Sequence, residues 1–150
     1  MGLRSAVTTA WRFLLQPHGE VKSFEQEVEA AGIAGRTEGG MKTIPVTKVV
    51  GSVGRAHNLR SDFFYKSGKI TSRFLRIGEA MRKGKDLPPI EVYKAKLPRP
   101  VGDRTAPVTE YYVVDGHHRV AMARKLGQDY LDARVVEYQV APDCATVGSA

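Results

Sequence analysis

The stretch Glu110–Gly127, EYYVVDGHHRVAMARKLG, constrains this chain more than any other part of it. Tyr111, Tyr112, Val113 and Val114 are aromatic or β-branched, as suits a strand near the middle of a sheet. Asp115-Gly116 is turn chemistry: Asp can cap a helix and Gly tolerates positive φ. From His117 onward, Val120, Ala123 and Leu126 recur at helical spacing, and Gly127 is the expected stop. A helix that begins directly after such a turn carries unpaired N–H groups and the positive end of its dipole in its first turn. That arrangement binds phosphate or carboxylate. Arg119, two residues into the helix, can add a bidentate guanidinium contact. His117 and His118 are adjacent and so diverge by about 100°. One is therefore expected in the site and the other packed or solvated.

The remaining elements place this unit in a domain. Residues 3–16 read as a helix ended by Pro17 and Gly19. Ser23 and Gln26 form a capping-box pattern before a second short helix over 24–31, with Gly32 as its C-cap. Gly35 to Gly40 reads as a turn-rich linker. Core strands are expected over 43–50, 90–93, 110–114 and 133–138, with the Pro- and Gly-rich stretch 97–107 as a loop. Thr71 or Ser72 can cap a helix running to about Lys83, with Phe74, Ile77, Ala80 and Met81 on one face. The division that results is an N-terminal helical extension and linker (1–41), a core domain (42–140) and a flexible tail (141–150). The economical fold class is α+β, a small mixed β-sheet flanked by helices.

Bulk properties agree with a single folded domain. The chain has 150 residues, of which 42% are hydrophobic and 26% charged, so intrinsic disorder of the whole is not expected. Its one cysteine, Cys144, cannot form an internal disulfide, which fits a reducing, cytoplasmic setting. No apolar run approaches the ~18–20 residues of a spanning helix, and no membrane is expected as a partner. The net charge of +7 is uneven: residues 42–104 hold fifteen Lys and Arg against five Asp and Glu. An excess of this kind suits a surface that meets a polyanion. Arg73, Arg76 and Lys83, on one helix, form the candidate nucleic-acid-binding stripe. A solvated basic face is the bland alternative.

Two other constellations are candidates for chemistry. Gly51-Ser52-Val53-Gly54-Arg55 lets backbone approach a ligand and supplies a charge, so Gly51, Ser52, Gly54 and Arg55 are candidate phosphate contacts. This is not a Walker A loop, because the Gly-Lys-Ser/Thr spacing is missing. A metal site from Asp115, His117 and His118 is not expected, since adjacent histidines lack the i, i+4 spacing that puts two imidazoles on one helical face. His57 could join them only by tertiary contact. A Mg²⁺ accompanying a nucleotide fits better.

Tyr112-Val-Val-Asp-Gly-His-His-Arg-Val-Ala-Met-Ala-Arg-Lys-Leu-Gly127 resembles the signature of the ParB/sulfiredoxin superfamily. So does its setting, with Leu87-Pro-Pro-Ile90 before one strand and Asp132-Ala-Arg-Val-Val136 after the motif helix. The likeness covers roughly residues 42–138. It implies a ParB/sulfiredoxin-like α+β fold that binds a nucleotide, its phosphates at the motif helix. Gly116, His117, His118 and Arg119 would then be phosphate contacts, and Asp115 and His117 the catalytic candidates, with Asp115 near a metal or the transferred phosphoryl group.

The departures from the family pattern narrow the activity. Sulfiredoxins carry a catalytic Cys directly after the motif Gly, where this chain has His117, so reductase chemistry is not expected. Chromosome-partition members carry Glu-Arg-Arg there and a helix-turn-helix domain downstream, which is not expected here. The Asp-Gly-His-His-Arg form looks most like the free-serine-kinase branch, yet that branch's early-loop glutamate has no match among Arg55, His57 and Asn58. The leading expectation is a nucleotide-phosphate-binding ParB-like domain with a regulatory or DNA-associated role. The nucleotide (ATP, ADP or CTP) is left open. The alternatives are a small-molecule phosphotransferase acting on a free amino acid, and a nonspecific DNA-binding ParB-like nuclease. A homodimer through the N-terminal helix is a further expectation.

Overall fold

The computed structural model describes residues 21–68 and 71–141, so the helix expected over 3–16, and a dimer made through it, lie outside the described residues. Six strands make one mixed sheet: β1 (Lys22–Ser23), β2 (Ile33–Pro45), β3 (Val49–Ser52), β4 (Ile90–Val101), β5 (Arg104–Asp115) and β6 (Tyr130–Val140). Their order is β1-β3-β5-β4-β6-β2. β3 lies parallel to β1 and β5, and β4 parallel to β6, while β4–β5 and β2–β6 are antiparallel. Two α-helices follow the sequence signals, α1 (Ser72–Arg82) and α2 (His117–Leu126). The α+β class with a small mixed sheet is thus the observed one.

Alternation along the strands sends side chains to two separate cores. On one face Val49, Val92, Tyr111, Val113 and Val135 pack with Phe74 of α1 and Val120 of α2. On the other, Ala95, Leu97 and Tyr112 meet Phe24 and Val28 of the N-terminal segment. Phe24 sits edge-on to Tyr93, Tyr112 and Tyr138, with ring centroids 5.1, 5.5 and 5.2 Å away. Both faces are therefore covered, and β5, third in the order, is buried over Glu110–Val113.

Local chemistry explains most boundaries. Thr71 is the N-cap of α1, its hydroxyl accepting from the Phe74 N–H at 3.2 Å, and Gly84 follows the helix at φ +70°. Ser23 Oγ accepts from the Gln26 N–H at 3.3 Å as a capping residue should. The helix expected over 24–31 is instead a single π-type turn, Glu25–Glu29, closed by the Ala30 N–H on the Glu25 carbonyl at 3.0 Å.

Two stretches expected to be irregular are strand. Residues 35–40 are no linker: they belong to β2, which pairs with β6 from Ile33 to Pro45 and absorbs its glycines at two register shifts, Ile33/Gly35 and Glu38/Gly40. The core sheet therefore includes chain N-terminal to Met41. Residues 97–107 form the end of the β4–β5 hairpin, with Pro98 opposite Pro107 and the turn at Gly102-Asp103. Prolines fit here because β6 accompanies β4 only from Ile90 to Ala95. Beyond that point on β4, and before Tyr111 on β5, no further strand among the described residues pairs with the outer edge, where a missing N–H costs no ladder bond.

Candidate functional site

β5 ends at Asp115, and Gly116 turns the chain into α2 at φ +109°. A side chain here is blocked twice: that φ is foreign to L residues, and a Cβ would lie 2.5 Å from Ile90 Cγ2. Close packing of the turn against β4 brings α2's first turn to the end of the sheet. The Arg119 and Val120 N–H groups both bond the Gly116 carbonyl, at 3.0 and 3.1 Å, which leaves the His117 and His118 amides at the open end of the helix.

A cavity of about 410 Å³ lies over this turn. Asp115, Gly116, His117, His118 and Arg119 form one wall, Arg55 and Tyr65 a second, and Arg73 with the Leu87-Pro88-Pro89 segment a third. Three guanidinium groups thus converge with a helix N-terminus, against one lining carboxylate. None of Arg55, Arg73 and Arg119 forms an ion pair with another described residue. Arg55 donates to the Tyr65 hydroxyl at 3.0 Å, and Arg119 Nε is buried with no hydrogen-bond partner among the described residues. Burial lowers the Arg119 pKa from its ordinary value, with Asp132 opposing the shift.

The two histidines differ in role, though both line the cavity. His117 is 3% exposed, and its Nε2 is 2.7 Å from Ser52 Oγ at the end of β3. Burial, with Arg55 second, pushes its pKa down to about 4. It is therefore neutral at pH 7 and ties β3 to α2. His118 lies between aromatic rings, 5.3 Å from Tyr65 and 5.4 Å from Phe74 by centroid. Its pKa is lowered too, first by burial and then by Arg73 and Arg55. One histidine was expected in the site and the other packed or solvated; both line the cavity, with His117 also packed against Ser52.

The remaining expected residues scatter. Gly51 is buried in β3, where a Cβ would collide with the Tyr112 ring and the Lys22 carbonyl, so its smallness serves strand packing. Ser52 acts through His117. Gly54, at φ +76°, is exposed and borders a separate cavity with Ser23 and His57. Of the 51–55 loop only Arg55 lines the site. The basic stripe divides likewise. Arg73 turns to the cavity, Arg76 is exposed, and Lys83 lies just past α1 with its Nζ 3.0 Å from Glu79. Among the described residues no three His, Cys, Asp or Glu side chains gather as a metal site, and no helix is long and apolar enough to cross a membrane.

Sequence reasoning missed Tyr65 and the 87–89 segment as walls. A lone tyrosine in an irregular loop gives no signal, and Leu-Pro-Pro signals only the approach to a strand.

No family model matches this chain, and no curated protein matches it by sequence. Among solved structures it is similar to the crystal structure of sulfiredoxin from Arabidopsis thaliana, at 16% identity and a TM-score of 0.41. The similarity covers 73% of this chain and 93% of that one.

Proposed function

We propose that this protein binds the phosphate chain of a nucleotide at the α2 N-terminus and acts as a nucleotide-responsive regulatory domain. The observation that carries this reading is the convergence of Arg55, Arg73 and Arg119 on one cavity with the first turn of α2. Helix N-termini and guanidinium groups both favour oxyanions, and the two act together more strongly than either alone. Three guanidinium groups without ion pairs among the described residues suit a ligand with several negative oxygens better than a single carboxylate. Asp115, at the cavity wall, could hold a Mg²⁺ arriving with the phosphates, as one carboxylate commonly does for that ion.

The test is a binding panel of ATP, ADP, CTP and GTP with Mg²⁺, run on wild type and on Arg119→Met. Wild type should bind at least one nucleotide, and the variant more than tenfold more weakly, as expected when a charge-assisted bond is lost. Negligible binding by both proteins would overturn the proposal.

A further inference from the structure

A second cavity, of about 500 Å³, adjoins the phosphate cavity, and Tyr65 and His118 line both. Its other walls differ in chemistry from those of its neighbour. Phe64 and Phe74 face it, packed edge-on at 5.3 Å, and Phe74 also meets His118. Four rings, Phe64, Phe74, His118 and Tyr65, therefore run without a break from the second cavity into the first. Polar groups border them. Arg60 and Asp62 are paired at 2.8 Å and partly exposed, and Arg124 also lines the cavity, its Nη2 donating to the Val49 carbonyl at 2.6 Å.

We infer that this second cavity is the nucleoside pocket of the same ligand, its base against the Phe64 and Phe74 rings and its phosphates beyond Tyr65 and His118. The inference rests on the phosphate reading above and goes beyond it by assigning the other end of the molecule. The volume lies within the range of pockets that enclose small ligands. Aromatic walls suit a base of any sequence class, because every base has a π-face. The bordering groups suit its edges: Arg60 offers donors, and the Asp62 carboxylate offers an acceptor to an exocyclic amine. A ligand reaching from the anion cradle into this pocket must be charged at one end and flat and apolar at the other. Nucleotides have that form, and inorganic polyphosphates do not.

Inorganic triphosphate and nucleoside triphosphates, both with Mg²⁺, separate the two ends. Wild type should bind its preferred nucleotide roughly tenfold or more tighter than triphosphate, and Phe64→Ala should remove most of that margin while leaving triphosphate affinity unchanged. NMR on the saturated wild-type complex supplies a second readout: base protons should show NOEs to the Phe64 and Phe74 rings. Equal affinity for nucleotide and triphosphate, or base protons with no such NOEs, would overturn the pocket assignment and leave the phosphate site standing. Failure of triphosphate and nucleotides alike to bind would overturn both.

Discussion

Arg99 and Arg119 lie on opposite faces of one sheet and show two uses of a guanidinium group. Arg99, on β4, donates to both oxygens of Glu110 at 2.9 Å and to Glu27 at 3.0 Å. Its pKa is raised, first by the Glu110 hydrogen bonds, with burial opposing. Glu110 is 3% exposed, and it also accepts from Tyr112 at 2.8 Å and Lys22 at 3.3 Å. Burial alone would raise the Glu110 pKa, but Arg99, Tyr112 and Lys22 together hold it below the usual value. That face is electrically closed, and its charges fasten the N-terminal segment to the sheet. Among the described residues Arg119 has no such partners, and it shares its cavity with two more guanidinium groups. The first set of charges is closed on itself, whereas the second leaves three guanidinium groups facing one carboxylate, Asp115.

The sharpest test of the contrast exchanges each arginine for methionine. Arg99→Met strands a buried carboxylate, so unfolding stability should fall by roughly 3 kcal/mol. For a chain of this size that lowers the melting temperature by roughly 10 °C. Arg119→Met removes a half-buried cation with no ion-pair partner among the described residues, and its melting temperature should stay within about 3 °C of wild type while phosphate binding fails. Similar thermal losses in the two variants would erase the distinction.

Acid should act mainly through the open face. The His117 pKa is pushed down to about 4 from an ordinary 6.5, so the unfolded chain takes up a proton there before the folded chain does. Stability from this group is full above pH 6.5 and is lost as pH falls toward 4, by at most about 3 kcal/mol. Replacing His117 with Gln should flatten that part of a denaturant-derived stability curve. A smaller effect, about 1 kcal/mol, is expected from Ser52→Ala, which takes away the hydroxyl facing the ring. The smallest shift concerns His118. Because Arg55 and Arg73 help to depress its pKa, bound pyrophosphate should raise it, and binding should tighten as pH falls through that range. Imidazole NMR titrations with and without pyrophosphate would show this, and an unmoved pKa would place the anion elsewhere.

How far the sequence revealed these features depended on whether the cause was local. The β5–turn–α2 unit was legible because Val113-Val114, Asp115-Gly116 and the Val120–Leu126 spacing are each short-range signals that agree. The cap at Thr71 and the stop at Gly84 were legible for the same reason. β2 was not, because its Gly-rich centre becomes strand only through β6, about a hundred residues further on. The hairpin end at Pro98 and Pro107 was hidden because their tolerance depends on a free edge that sequence does not display. At the site, Gly116 and Arg119 could be anticipated from the motif alone. Tyr65 could not, and Arg73 was assigned to a different surface, since helical spacing reveals which residues share a face and not what that face meets.

Arg124 has a consequence of its own. From the last turn of α2 its Nη2 donates to the Val49 carbonyl at 2.6 Å, and its guanidinium stacks 4.7 Å over the Phe63 ring. Phe63 is held at φ 69°, a conformation rare outside glycine. One end of α2 thus borders the cavity with Arg55, Arg73 and Arg119, and the other pins the irregular segment from which Arg55 and Tyr65 project. In hydrogen-exchange terms the helix and the 53–65 loop should open as one cooperative unit, protected together and released together. A molecule lodged between them would slow exchange in segments far apart in the chain, through the stiffness of a ten-residue rod.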